Sequence, residues 1–188
     1  MDCTLCTFDK KCRDTEACKA TSFDREIIIH EYSQNKEIVQ AAASLVDHGR
    51  AGTLSRLQEI IAFSKQMKYQ RIGLAYCYGM ENEVKQIADI LRINELKVRA
   101  VSCTVGGISQ NEVNPESEYC SVSCNPLGQA KQLNQEGVDL VLMVGLCLGH
   151  DILFQREIKV DCTTLVVKDR VRNHAPLKEL EVNSILNQ

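Results

Sequence analysis

The chain has 188 residues, 44% hydrophobic and 25% charged, the size and balance of one globular domain with room for a small extra module. Its 22 basic and 25 acidic residues leave a net charge of −3, which gives no field to argue for nucleic acid or an anionic membrane surface as partner. The longest apolar run, residues 138–149, contains Asp139 and falls short of the roughly 20 residues that cross a bilayer.

The amino terminus, Met1-Asp2-Cys3-Thr4-Leu5-Cys6, has neither a basic start nor an apolar run, so it does not read as a secretory signal and the expected location is the cytoplasm. Residues 1–24 hold four cysteines, nine charged residues and few large apolar ones. Hydrophobic packing alone cannot fold such a segment. It is expected to stand apart from an α/β domain over residues 25–188. From Asn35 the pattern turns regular, with Ile38, Val39, Ala42, Leu45 and Val46 at helical spacing and Gly49 as a stop. Leu54, Leu57, Ile60, Ile61 and Met67 predict a second helix.

Residues 71–77 are short, apolar and bounded by a glycine turn, as in a buried parallel strand. Val84, Ile87, Ala88 and Leu91 form a helical stripe, residues 96–103 a second strand, 126–135 another helix and 138–144 a third strand. A short helix over about 151–156 and a strand over 163–167 complete an alternating series. That order predicts an α/β fold: an open, mainly parallel sheet of about four strands flanked by helices, preceded by a small cysteine-rich metal knuckle. Residues 104–125 make a long connection, either a lid or a solvated surface excursion.

Ten cysteines are many, yet they fall below the roughly 8% that marks disulfide scaffolds, and in a reducing compartment thiols serve as core residues, metal ligands or redox groups. Cys3, Cys6, Cys12 and Cys18 form a CxxC pair followed by two thiols at six-residue steps. Four thiolates suffice for one zinc ion or one iron–sulfur cubane, and metal would supply the folding energy that the segment lacks. Cys77, Cys103 and Cys147 each sit at or just past the carboxyl end of a predicted strand, and parallel strands bring those ends to one edge. Cys124, before Asn125-Pro126, would join them at the start of a helix, with Cys120 as its substitute. Each of these thiols alone reads as a small core residue, and only the set reads as a shared site; Cys162, at the opposite end of its strand, is assigned to packing.

His150, three residues after Cys147, is a candidate metal ligand or proton donor. Lys168 and Arg170 are candidates to hold an anionic ligand, alongside the backbone amides of Gly106 and Gly107. The bland alternatives are a helix cap for Asp151 and solvated loop charge for residues 168–170.

The cysteine-rich start from Cys3 to Cys18, RIGLAYCYGMENE at 71–83, VGG at 105–107, CNPLGQAKQLN at 124–134, GLCLGHDILF at 145–154 and VVKDRVRNH at 166–174 together carry a resemblance. The chain resembles a family of small predicted metal-binding proteins of bacteria and archaea, known as a domain of unknown function. The resemblance implies metal binding, with cysteine motifs matching Cys77, Cys103, Cys124 and Cys147, and implies no particular reaction.

The function expected from the residues is metal binding and redox work: electron transfer to or from a redox partner, or reduction of a small-molecule ligand by an iron–sulfur-dependent reductase. A [4Fe–4S] cluster at Cys77, Cys103, Cys124 and Cys147 suits the all-sulfur ligand set, with His150 and Lys168 as catalytic groups. The alternative is a zinc-binding module that senses a ligand or binds a partner without catalysis, zinc sitting above all at the amino-terminal thiols. Thiol catalysis without metal is a third class.

Overall fold

The computed structural model describes residues 1–180, and the chain divides into two compact units, Met1–Ala51 and the portion from Gly52 onward. The cysteine-rich segment lies within the first. Its short 3-10 turns, Cys3–Leu5 and Lys11–Asp14, bury nothing, and none of the first 24 residues is buried. Local polar contacts organise it instead, such as the Thr4 N–H donated to the Asp2 carboxylate at 2.9 Å. Helix α1, Arg25–Gln34, starts on the Asp24 side chain, which accepts from the Glu26 and Ile27 N–H groups. Helix α2, Lys36–Ala43, follows at once. The helix expected to run to Val46 therefore stops early, and the chain turns through a 3-10 segment, Asp47–Gly49, with His48 left-handed.

In the second unit a capping box of Ser55 and Gln58 opens α3, Arg56–Gln66. Then come β1, Arg71–Tyr76; α4, Glu81–Ile93; β2, Lys97–Ser102; α5, Gln110–Val113; α6, Pro126–Gln135; β3, Leu140–Val144; α7, His150–Glu157; and β4, Asp161–Val166. All four strands are parallel, in the order β2-β1-β3-β4. This is the open α/β sheet that the alternating pattern predicts.

Because side chains alternate along a strand, each strand feeds two cores. Ile72, Leu74, Leu140, Leu142 and Val144 pack with Ile60, Ile61, Val84, Ala88 and Leu91 of α3 and α4. Ala75, Val141 and Met143 pack on the other face with Ala130, Leu133 and Phe154 of α6 and α7. Helices on both faces leave β3 buried along its whole length, which is why it reads as an unbroken apolar run.

Gly73 shows how closely the second face is filled. A Cβ there would lie 2.9 Å from Val141 Cγ2, 3.1 Å from Leu133 Cδ2 and 3.2 Å from Val138 Cγ2. All three neighbours belong to the packed core. Gly73→Ala is therefore expected to cost about 1–3 kcal/mol by overpacking, and Gly73→Val more. A denaturant titration reads this; a Gly73→Ala midpoint at or above the wild-type value would contradict the packing described.

Candidate functional site

Hydrogen bonding carries the sheet one residue beyond two of its strands. The Cys77 N–H donates to the Val144 carbonyl at 3.1 Å, and the Cys103 N–H to the Tyr76 carbonyl at 2.8 Å. Both cysteines are thereby fixed, and buried, at the carboxyl edge. Past β3 the chain turns through Gly145, Leu146 and Cys147, and the Cys147 carbonyl accepts the His150 and Asp151 N–H groups at 2.9 and 3.1 Å as α7 begins. Cys147 is left half-buried at that turn. Strand order reverses between β1 and β3, the place where open α/β sheets form a crevice.

The fourth thiol comes from the long connection. Its base is closed by the Asn125 N–H on the Cys103 carbonyl at 2.6 Å and by Asn125 Nδ2 on the Val105 carbonyl at 3.0 Å. The same Asn125 caps α6, its Oδ1 accepting the Gly128 N–H at 2.8 Å, with Pro126 in the first turn. Gly128 is required by that cap: a Cβ would fall 2.2 Å from Asn125 Nδ2. One turn on, the fully buried Gln129 sends Nε2 to the Val101 carbonyl at 2.8 Å and the Tyr76 carbonyl at 3.1 Å. A single side chain thus ties α6 to the ends of β1 and β2. Its Oε1 has no partner among the described residues.

Two of the four sulfurs are in contact, and Cys77 and Cys147 act on Cys124 electrostatically. Cys124 Sγ donates to Cys103 Sγ at 3.5 Å, and the Tyr78 N–H reaches Cys103 Sγ at 3.4 Å. Lys168 Nζ lies 3.4 Å from Cys77 Sγ, and Arg170 Nη2 lies 3.3 Å from Cys147 Sγ. Burial pushes the Cys103 thiol up to about 12, and Cys124 and Cys77 add to it. Burial also raises Cys124, with Cys147 and Cys77 adding and Arg170 opposing. Among the described residues, no three His, Cys, Asp or Glu side chains are grouped to hold a single metal ion.

His150 opens α7 on the turn that carries Cys147, and its imidazole makes no hydrogen bond among the described residues. Asp151 is indeed taken up by backbone, accepting from the Gly149 and Ile152 N–H groups at 3.0 and 2.8 Å. Cys120 is exposed and Cys124 is the thiol that meets Cys103. Cys162 packs against the α6–α7 core, and burial raises it to about 11. The connection over residues 104–125 is not structureless: it carries α5, capped by Ser109 and Glu112, and a bridge between Ser109 and Val122. Sequence reasoning passed over Asn125 and Gln129, although a Pro-preceding Asn at a helix start was a visible cap signal.

In the amino-terminal unit, Cys6, Cys12 and Cys18 line a cavity of about 280 Å³, and Cys3 does not line it. The Phe8 N–H donates to Cys6 Sγ at 3.4 Å, and this bond, with a second from Lys10, draws the Cys6 thiol below its ordinary value. Backbone donors on sulfur favour the thiolate, the form that binds metal.

Burial of Cys103 and Cys162 has a consequence for stability. Their thiols titrate higher in the folded chain than the ordinary 9.0, so above that pH the unfolded chain loses protons that the folded chain keeps. The stability they contribute is complete below pH 9 and is lost as pH rises toward 11 and 12. Denaturation of metal-free, reduced protein is expected to show this alkaline decline, and Cys103→Ala to flatten it. An equal decline in wild type and variant would contradict the assignment.

A family model described as protein of unknown function (DUF1847) matches residues 15–165, a span that includes Cys77, Cys103, Cys124 and Cys147. "Uncharacterized protein MJ0455" of Methanocaldococcus jannaschii is 39% identical over 179 residues, covering 93% of this chain and 90% of that protein. No solved structure matches the chain. With a family model spanning most of its length and this relative matching nearly end to end, the chain belongs to the DUF1847 family.

Proposed function

We propose that this protein is a cytoplasmic thiolate metalloprotein whose rim cysteines, Cys77, Cys103, Cys124 and Cys147, hold an iron–sulfur cluster of the [4Fe–4S] type. Its work is redox: electron transfer, or reduction of a small molecule. The observation that carries the reading is the contact of Cys103 with Cys124 at the carboxyl edge, with Cys77 and Cys147 near enough to act on Cys124 electrostatically. The all-sulfur donor set suits an iron–sulfur cluster.

A bound cluster supplies one-electron chemistry, which the side chains alone lack. The chain's own groups then have definite tasks. Lys168 and Arg170 balance negative charge at Cys77 and Cys147, and the Tyr78 N–H does so at Cys103. His150, on the same turn as Cys147, is the proton donor of this reading. Ten free thiols accord with a reducing compartment, and no helix among the described residues is long and apolar enough to cross a membrane.

The amino-terminal set of Cys3, Cys6, Cys12 and Cys18 is the second metal site of the proposal, with zinc or a second cluster as its occupant. The cavity lined by three of these thiols also favours a second reading, a zinc-binding interaction or sensing module without catalysis. Metal content separates the two. Protein purified without oxygen is expected to be brown, to contain iron and acid-labile sulfide, and to lose the rim's share of both in Cys77→Ser and Cys147→Ser. Colourless protein that takes up no iron on anaerobic reconstitution would overturn the cluster; about one zinc per chain with no iron, and no loss of domain stability on substituting the internal thiols, would favour the module.

A further inference from the structure

Lys168 and Arg170 flank Asp169 on the segment after β4, yet neither forms an ion pair with the acid between them. The Asp169 carboxylate accepts the Val171 and Arg172 N–H groups at 3.0 and 2.8 Å. Asp151, the acid nearest Cys147 in the chain, is bound to backbone in the same way. Elsewhere in this unit Arg56, Arg92, Arg99 and Arg172 each meet a carboxylate. Among the described residues, neither Lys168 nor Arg170 does; each meets a sulfur.

Donor capacity points the same way. An ammonium carries three N–H donors and a guanidinium five, in a fork that matches a carboxylate. One contact apiece goes to sulfur, and the remainder stand at the rim. Tyr78 and Leu148, the residues after Cys77 and Cys147, are 59% and 87% exposed, so the chain presents apolar side chains next to both thiols. Cations near exposed apolar side chains suit an organic anion better than an inorganic one.

We propose that Lys168 and Arg170 form an anion subsite beside the Cys147 sulfur, and that the compound taken at the thiol rim is a small organic anion bearing a carboxylate or similar oxyanion group. This deepens the reading of the rim as the working site and rests on it.

The test uses full-length, reduced, metal-free protein and two alkylating reagents of nearly equal shape, anionic iodoacetate and neutral iodoacetamide. In both reactions the Cys147 thiolate attacks the reagent's CH₂ carbon, a C–S bond forms, the C–I bond breaks and iodide leaves; the thiol proton passes to buffer. Cys147 is half-buried and accessible as reporter. Any general activation of the sulfur by a neighbouring cation cancels in the ratio of the two rates. The iodoacetate-to-iodoacetamide ratio at Cys147 is expected to exceed that of a small neutral thiol by about tenfold, the scale of one or two charge contacts near a surface. Arg170→Met and Lys168→Met should each lower it. In wild type, acetate should slow iodoacetate more than chloride does at equal ionic strength, a measurement that needs no variant.

A wild-type ratio no higher than that of the small thiol, or a high ratio untouched by both substitutions, would overturn the subsite. The outcome is separable from metal content. Protein without iron but with the raised ratio loses the cluster and keeps the subsite, whereas iron-loaded protein with the ordinary ratio does the reverse.

Discussion

Parallel strand pairing governs this molecule. When every strand runs the same way, every chain exit from the sheet lies on one border, and the residues just past β1, β2 and β3 become neighbours without any sequence proximity. The ladder bonds of Cys77 and Cys103 extend that order into the site, so these sulfurs are held by the same interactions that hold the sheet. Asn125 and Gln129 then lock the start of α6, and with it Cys124, against the ends of β1 and β2. The geometry of the rim is thus inherited from the core.

Two different environments share that rim. Cys103 and Cys124 lie against each other under burial, which favours their protonated forms. Cys77 and Cys147 instead meet an ammonium and a guanidinium. Burial raises both thiols of the first pair: the hydrogen bonds to the Cys103 sulfur come from a neutral N–H and another thiol, neutral hydrogen bonds being worth about half of charge-assisted ones, and the opposing charge of Arg170 at Cys124 does not outweigh burial. Two of the four sulfurs thus meet each other, and two meet cations.

Most of this was legible in the chain. Apolar patterning located the four strands and α3, α4, α6 and α7, β3 by its unbroken apolar run, and the strand-end cysteines followed from topology alone. What escaped notice carries no such imprint. Helix α1 exposes Ile27, Ile29 and Tyr32, so no apolar stripe announces it, and only the Asp24 cap hints at its start. Helix α5 is a single turn inside a connection. Gln129 is a polar residue on an apolar helix face, and its purpose is visible only once two strand ends supply the carbonyls it bridges. The contact of Cys124 with Cys103 depends likewise on where a long excursion returns.

The two cysteine groups differ in what precedes them. At the rim, burial and backbone bonds position the sulfurs before any ligand arrives, so binding there has little chain entropy to overcome. Among residues 1–24 nothing is buried, and ordering costs roughly 1–2 kcal/mol per residue for backbone alone. Short polar bonds such as Asp2 to Thr4 return only about 0.5–1.5 kcal/mol each, so they do not offset that cost. In the proposed reading the same ligand chemistry therefore does unlike work. At the amino terminus a metal would supply folding free energy to a segment without a core, whereas at the rim it would occupy an edge that the sheet has already built.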